Sequence, residues 1–311
     1  YSNPPFDITL LIMQRLSFKD NIRACAVCKT WREACVSVRV DEYPTPWLIS
    51  YTLDKEEYEL YDPLLDKTYI RKSTSPDLRD PFIECSTDGW LLMHDNNFIE
   101  TFFFNPFTHE RIGLPWPDMW NTQALAFSSA PTSNGCVIFS VFHVTKRSVI
   151  IKTYCLDTKE CTAFMFPHRL PLKDGGFEHV VFSNGVFYCL ASIGWLGMFD
   201  LSTTSWNVLS RRAPKCVSPN DRFMTEYQGD IFLIYTNTHD LDDQPRYLKL
   251  DLANQKWTDK IRLGGLAFYL SSKSSLTANR DLLYNQQMHQ RCICSYVWVK
   301  PPLNVSDLFK S

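Results

Sequence analysis

Apolar and polar positions along this chain follow two rhythms, one before residue 44 and another after it. In the first stretch Ile8, Ile12 and Leu16 recur every fourth position, with Leu11 beside them, so one stripe of a helix is apolar. Pro4 and Pro5 stand just ahead, where a missing N–H costs a helix little. Ser17 lies three residues before Asp20, a capping-box spacing with Asp in place of Glu, which predicts a second helix carrying Ile22, Cys25 and Ala26 inward. A third short helical segment runs through Trp31, Ala34 and Cys35. Leu10, Leu11 and Val27 add apolar surface beyond a single stripe. Three helices in so short a span bury little surface alone and need a partner, either the rest of the chain or another protein.

After Pro44 the rhythm is that of strands. Trp47 to Tyr51, Glu57 to Tyr61, Ile99 to Phe104, Cys136 to Phe142 and Val149 to Tyr154 are runs of β-branched and aromatic residues. Asp62-Pro63, Asp88-Gly89, Asn105-Pro106, Asn184-Gly185 and Gln228-Gly229 punctuate them as turns. A repeat is visible: a strand ends at Tyr61, Phe104, Tyr154, Phe199 or Leu250, a turn rich in Asp, Asn or Pro follows, and a new strand begins. The interval is about 43 to 51 residues, close to one propeller blade. A sixth unit is expected from Leu266 to Val299. The fold class read from this is mostly β with a small α N-terminal module: residues 1–43 form a helical unit, and residues 44–311 a β-propeller of six blades, or seven if terminal strands complete another. The competing architecture, a pair of β-sandwiches, does not account for four regular intervals.

The helical segment also carries a motif. Pro5-x-Asp7-Ile8, Ile12, Arg15-Leu16-Ser17, Asp20, Arg23 and Val27-Cys28-Lys29-x-Trp31-Arg32 resemble the F-box in order and spacing. Pro4 and Thr9 depart from it, standing where Leu is common. The later segments Tyr61-Asp62-Pro63, Ser86-x-x-Gly89-Trp90-Leu91-Leu92, Phe104-Asn105-Pro106-Phe107-Thr108, Leu114-Pro115, Trp257-Thr258 and Leu263-Gly264-Gly265-x-Ala267-Phe268-Tyr269-Leu270 resemble the KIB-type propeller of plant F-box proteins. Kelch-type F-box proteins are near neighbours, but Gly175-Gly176 and Gly264-Gly265 do not recur once per blade. The resemblance implies a substrate-recognition subunit of a Skp–cullin–F-box ubiquitin ligase. Its F-box would dock a Skp-type adaptor, through it a cullin scaffold, and its propeller would hold a protein substrate. Pro5, Ile8, Leu11, Ile12, Leu16, Val27 and Trp31 are then the expected adaptor-binding residues, Trp31 being equally suited to internal packing.

Composition narrows the remaining classes. The formal net charge is −2, with no strong basic run, which disfavours nucleic acid. No apolar run reaches the length of a membrane span. The 11 cysteines have no framework spacing, and Cys25-x-x-Cys28 and Cys292-x-Cys294 lack the further ligands of a zinc site. Reduced thiols packed as small hydrophobes are expected, and with them a cytoplasmic or nuclear location. His94, His109, His143, His168, His179, His239 and His289 are dispersed, and the acidic run Asp240 to Asp243 lacks the Gly and Glu of a calcium loop. No nucleophile, zinc or phosphate-loop motif is present. No metal or cofactor is expected, and no catalytic residue. A propeller enzyme and an F-box scaffold outside any ligase are the alternatives. The substrate surface is not legible; the aromatic loop Trp116 to Trp120 and the acidic run are its candidates.

Overall fold

The computed structural model describes residues 4–13, 24, 27–39, 45–51, 57–63, 65–72, 81–115, 123–145, 148–167, 176–214, 221–236, 245–260, 266–271, 273–279 and 296–302. Helix α1 (Phe6–Met13) starts directly after the two prolines, and its first turn closes when Thr9 N–H donates to the Pro5 carbonyl at 3.0 Å. Helix α2 (Lys29–Arg39) follows Cys28, whose carbonyl accepts from Arg32 N–H at 2.9 Å. Met13, Ala24 and Ala34 form a small apolar centre, with Leu10 and Trp31 packed against it. The expected second helix lies outside the described residues apart from Ala24.

The strands form antiparallel four-stranded sheets. Blade two holds β4 (Phe82–Thr87), β5 (Trp90–His94), β6 (Thr101–Phe104) and β7 (Arg111–Leu114) in sequence order. Blade three holds β8 (Ala124–Phe127), β9 (Val137–Thr145), β10 (Ser148–Cys155) and β11 (Glu160–Pro167). Blade four holds β12 (Phe177–Ser183), β13 (Val186–Ala191), β14 (Leu196–Asp200) and β15 (Ser205–Val208). Blade five holds β16 (Arg222–Tyr227), β17 (Asp230–Tyr235), β18 (Arg246–Asp251) and β19 (Lys256–Asp259). Blade one is shared between distant parts of the chain. Its β1 (Trp47–Tyr51), β2 (Glu57–Asp62) and β3 (Lys67–Lys72) come first, and the late strand β22 (Tyr296–Val299) pairs with β1 from Trp47↔Val299 to Ser50↔Tyr296.

The expectation of six blades, or seven, is therefore corrected to five four-stranded blades among the described residues. The stretch read as a sixth unit is divided. Its last strand closes blade one, and β20 (Leu266–Tyr269) with β21 (Leu276–Asn279) makes only a two-stranded sheet. That hairpin sits between blades five and one. Thr225 Oγ1 of β16 donates to the Ser275 carbonyl at 3.0 Å, and Trp298 Nε1 of β22 donates to the Leu270 carbonyl at 3.1 Å. Closing a ring uses a strand that local periodicity assigns to a blade of its own.

Each core cluster belongs to two adjacent blades, since both faces of a blade must be covered. Between blades one and two lie Ile49, Tyr58, Leu91 and Phe102, and between two and three Leu92, Phe103, Phe127 and Ile138. Phe139 stacks on Phe187 at 4.3 Å across blades three and four, and Leu190, Met224 and Leu233 join blades four and five. This double coverage explains why β5 is buried at every position and reads as an unbroken apolar run, whereas the outermost β3 is largely exposed. Adjacent inner strands are also tied by side chains. Ser86 Oγ donates to the Trp298 carbonyl at 2.6 Å, Phe177 N–H to Gln123 Oε1 at 3.2 Å, and His179 Nε2–H to the Arg222 carbonyl at 2.8 Å.

The repeat at Tyr61, Phe104, Tyr154, Phe199 and Leu250 is the hairpin joining the third and fourth strand of each blade. The residue after each aromatic or Leu accepts backbone N–H groups of the turn. Asp62 takes Leu65 at 3.3 Å, Asn105 takes Phe107 at 2.9 Å, Asp200 takes Ser202 at 2.8 Å, and Asp251 takes Asn254 at 3.0 Å. Cys155 stands at that place in blade three and receives the N–H groups of Thr158 and Asp157. Each turn ends in a residue of positive φ: Asp66, His109, Lys159, Thr204 and Gln255.

Candidate functional site

Two regions can engage another molecule. On α1 the inward face is Thr9 and Met13, 0% and 1% exposed, and Thr9 Oγ1 spends its hydroxyl on the Pro5 carbonyl. The outward face is apolar, with Ile8 48%, Leu11 53% and Ile12 38% exposed. Val27 is also exposed, at 63%. Apolar side chains exposed side by side on one helix face mark an interaction surface. Pro5 is exposed beside them, and Trp31 is half-buried against Met13, Ala24 and Ala34. Leu16 lies outside the described residues. Phe6, also exposed, stands at the start of the helix on the side of Met13 and was not singled out from sequence. Its signal was there: an apolar residue opening a helix whose next polar residue is Asp7.

The second region is the end of the ring where the inner strands β4, β8, β12 and β16 begin. The described turns joining second to third strands in blades two and four, residues 95–100 and 192–195, lie at this end. β1 runs antiparallel to β22, so the chain enters the ring from the helices at the opposite end. At blade two, Phe98 stacks on Phe82 at 4.4 Å, and Ile99 beside it is exposed. Phe98 has φ 56°, a left-handed conformation that a bulky residue adopts at a cost. The buried Asp95 carboxylate holds the turn, accepting Ile99 N–H at 2.6 Å and Glu100 N–H at 2.8 Å. Glu84 pairs with Lys273 at 3.1 Å and lies 3.9 Å from His94 Nε2. Burial holds the His94 imidazole below its usual pKa, with Glu84 opposing that shift.

At the junction of blades four and five the side chain of Arg222 reaches back to Glu178 of β12 at 2.6 Å. His179 is pushed down to about 4, by burial first and by the Arg222 and Lys273 charges after it. Since its Nε2 faces a carbonyl, that nitrogen carries the proton. The sequence candidates Trp116 to Trp120, Asp240 to Asp243 and Cys292 to Cys294 lie outside the described residues, as does Cys25. Cys85, Cys136 and Cys189 are unpaired thiols buried in blade cores. Among the described residues no three His, Cys, Asp or Glu side chains converge on a metal position, and no helix is long and apolar enough to cross a membrane.

Comparison with known proteins agrees with this two-part layout. Residues 5–43 match the F-box domain model, and residues 58–296 match the KIB1-4 beta-propeller model. F-box protein At3g56470 of Arabidopsis thaliana is 41% identical over 99% of this chain and 90% of its own length. F-box/kelch-repeat protein At1g57790 of the same plant is 38% identical over 98% of this chain and 95% of its own. F-box protein KIB3, again from Arabidopsis thaliana, is 26% identical over 92% of this chain and 71% of its own. Helical module, ring and relatives together lead to one assignment: the chain belongs to the plant F-box proteins that carry a KIB1-4 β-propeller.

Proposed function

We infer that this chain is the substrate-recognition subunit of a Skp–cullin–F-box ubiquitin ligase, working without catalytic residues of its own. Residues 1–43 act as the adaptor-docking unit and residues 44–311 as the target-holding propeller. The observation that carries this reading is α1, which seals Thr9 and Met13 inside and turns Ile8, Leu11 and Ile12 outward. An amphipathic helix in a partner's groove uses such anchors at i, i+3 and i+4. Pro5, Leu16, Val27 and Trp31 are the other adaptor-binding residues that the F-box resemblance implies. The gain for the reaction is effective concentration: a bound target is held near a ubiquitin-charged partner, and the receptor supplies no bond-making group. Abundant thiols suit the reducing cytoplasm or nucleus as the place of action.

The test is co-purification with a Skp-type adaptor. The wild-type chain is expected to form a one-to-one complex, and the Ile8→Asp/Ile12→Asp variant to lose it by about 2–4 kcal/mol of binding energy, the range of an interface hot spot. Both side chains being exposed, the variant's thermal midpoint should not move. Adaptor binding that survives this change sinks the reading. Reconstitution with a cullin and a ubiquitin-transfer assay then separates a ligase receptor from an F-box scaffold.

A further inference from the structure

Two arginines, Arg212 and Arg222, flank one turn between blades four and five, and Arg211 is the chain neighbour of the first. Arg222 is 3% exposed, and its Nη2 donates to Glu178 Oε2 at 2.6 Å, the Ser192 carbonyl at 2.7 Å and the Ala191 carbonyl at 3.0 Å. Its Nε is buried with no hydrogen-bond partner, and so is Ser192 Oγ beside it. Gly194 closes the turn with φ 88°, and the place where a Cβ would stand lies 3.5 Å from Arg222 Nη1 and 3.3 Å from Arg212 Cγ. The two side chains therefore flank one backbone point, Arg222 from the core and Arg212 from solvent. Arg211 and Arg212 are exposed, and neither has an ion-pair partner among the described residues. Among the described residues the carboxylates on these segments are Glu178 and Asp221, two against three arginines.

Buried donors left unpaired are costly, and a guanidinium is completed best by a group with two or three oxygens. We propose that this turn is an anion subsite of the propeller's target-binding surface, taking the carboxylate or phosphoryl group of an acidic segment on the recruited protein. Gly194 lets the two arginines come this close, because a Cβ there would press on the Ala213 carbonyl oxygen and on Arg212 Cγ at 3.3 Å and on Arg222 Nη1 at 3.5 Å. The proposal rests on the propeller being the part that holds a target.

The experiment uses the full chain in complex with its adaptor and three fluorescein-labelled peptides of one Gly-Ser framework. One bears three glutamates, one three phosphoserines, and one only serines. Fluorescence anisotropy should show the acidic peptides binding about tenfold or more tighter than the neutral one, with the preference shrinking as salt rises. R211E/R212E should abolish that preference while the thermal midpoint and adaptor binding stay as in wild type; Arg222 is left intact because it ties two blades. Equal affinity for the three peptides, or a preference that survives R211E/R212E, overturns the subsite. The order of the glutamate and phosphoserine peptides tells which anion it takes. Adaptor binding is read separately, so its loss counts against the receptor reading alone.

Discussion

His179 and Arg222 are joined in both directions: the imidazole of one donates to the backbone of the other at 2.8 Å, and the Arg222 guanidinium returns across the same gap to Glu178, the neighbour of His179. The pair locks β12 to β16. Because burial holds His179 at about 4, the folded protein keeps it neutral through a range where the unfolded chain is already protonated. The unfolded state then binds more protons, so this contribution is complete above the unfolded value near 6.5 and fades as pH falls from there towards 4. Its ceiling is about 3 kcal/mol. Denaturant unfolding of the wild type should show stability dropping between neutral and mildly acidic pH. His179→Gln, which keeps an N–H for the Arg222 carbonyl, should show a shallower drop; parallel profiles would refute the assignment.

Gly197 lies under the indole of Trp206, with Cη2 only 2.0 Å from where a Cβ would be. Gly197→Ala must push the buried indole aside or bend β14, at a cost of about 3 kcal/mol in unfolding free energy. Combining it with Trp206→Leu should cost less than the two changes added, since the clash is then gone. Additive losses in calorimetry would mean that backbone strain, not the ring, sets the penalty.

Blade three puts a thiol where the other four blades put an oxygen acceptor. Hydrogen bonds from the Thr158 backbone, then its hydroxyl, hold the Cys155 pKa below the ordinary thiol value. The same turn lowers the Asp200 and Asp251 carboxyls through their own serine, threonine or asparagine donors. Cys155 should therefore be alkylated by iodoacetamide at neutral pH well before the buried Cys85, Cys136 and Cys189, and Thr158→Val should slow it. Mass-spectrometric time courses read both. Cys155→Asp should fold as well as wild type, and a large loss of stability would show that the turn is not equivalent to the other four.

Much of the ring was legible in the sequence. The five hairpins stand out because each needs an acceptor and then a left-handed residue within a few positions, so local chemistry repeats where the blade repeats. The apolar helix at Ile8 and Ile12 was equally plain, though periodicity alone could not say which way it faced. What escaped were relationships without a local mark. The partnership of β22 with β1 spans most of the chain, and the meeting of Arg212, Arg222 and Gly194 depends on how two blades lie against each other. A count of strands overshot for that reason.

Ring closure offers a further measurement. Val297 of β22 is fully buried between strands, whereas Ile70 on the outermost strand β3 is mostly exposed. Val297→Ala should lower the unfolding free energy by about 2 kcal/mol, and Ile70→Ala by no more than about 0.5 kcal/mol. Similar losses for both would mean that the late strand adds little to the ring.

The pairing of Trp47 with Val299 also sets an order of events at the ribosome. β1 leaves the exit tunnel early, but its neighbour is made last, on the order of tens of seconds later at ordinary rates of synthesis. Through that interval a greasy strand waits with one side open, a template for wrong partners. Nascent copies of this protein should therefore lean on chaperones more heavily than a protein whose neighbouring strands are made one after another.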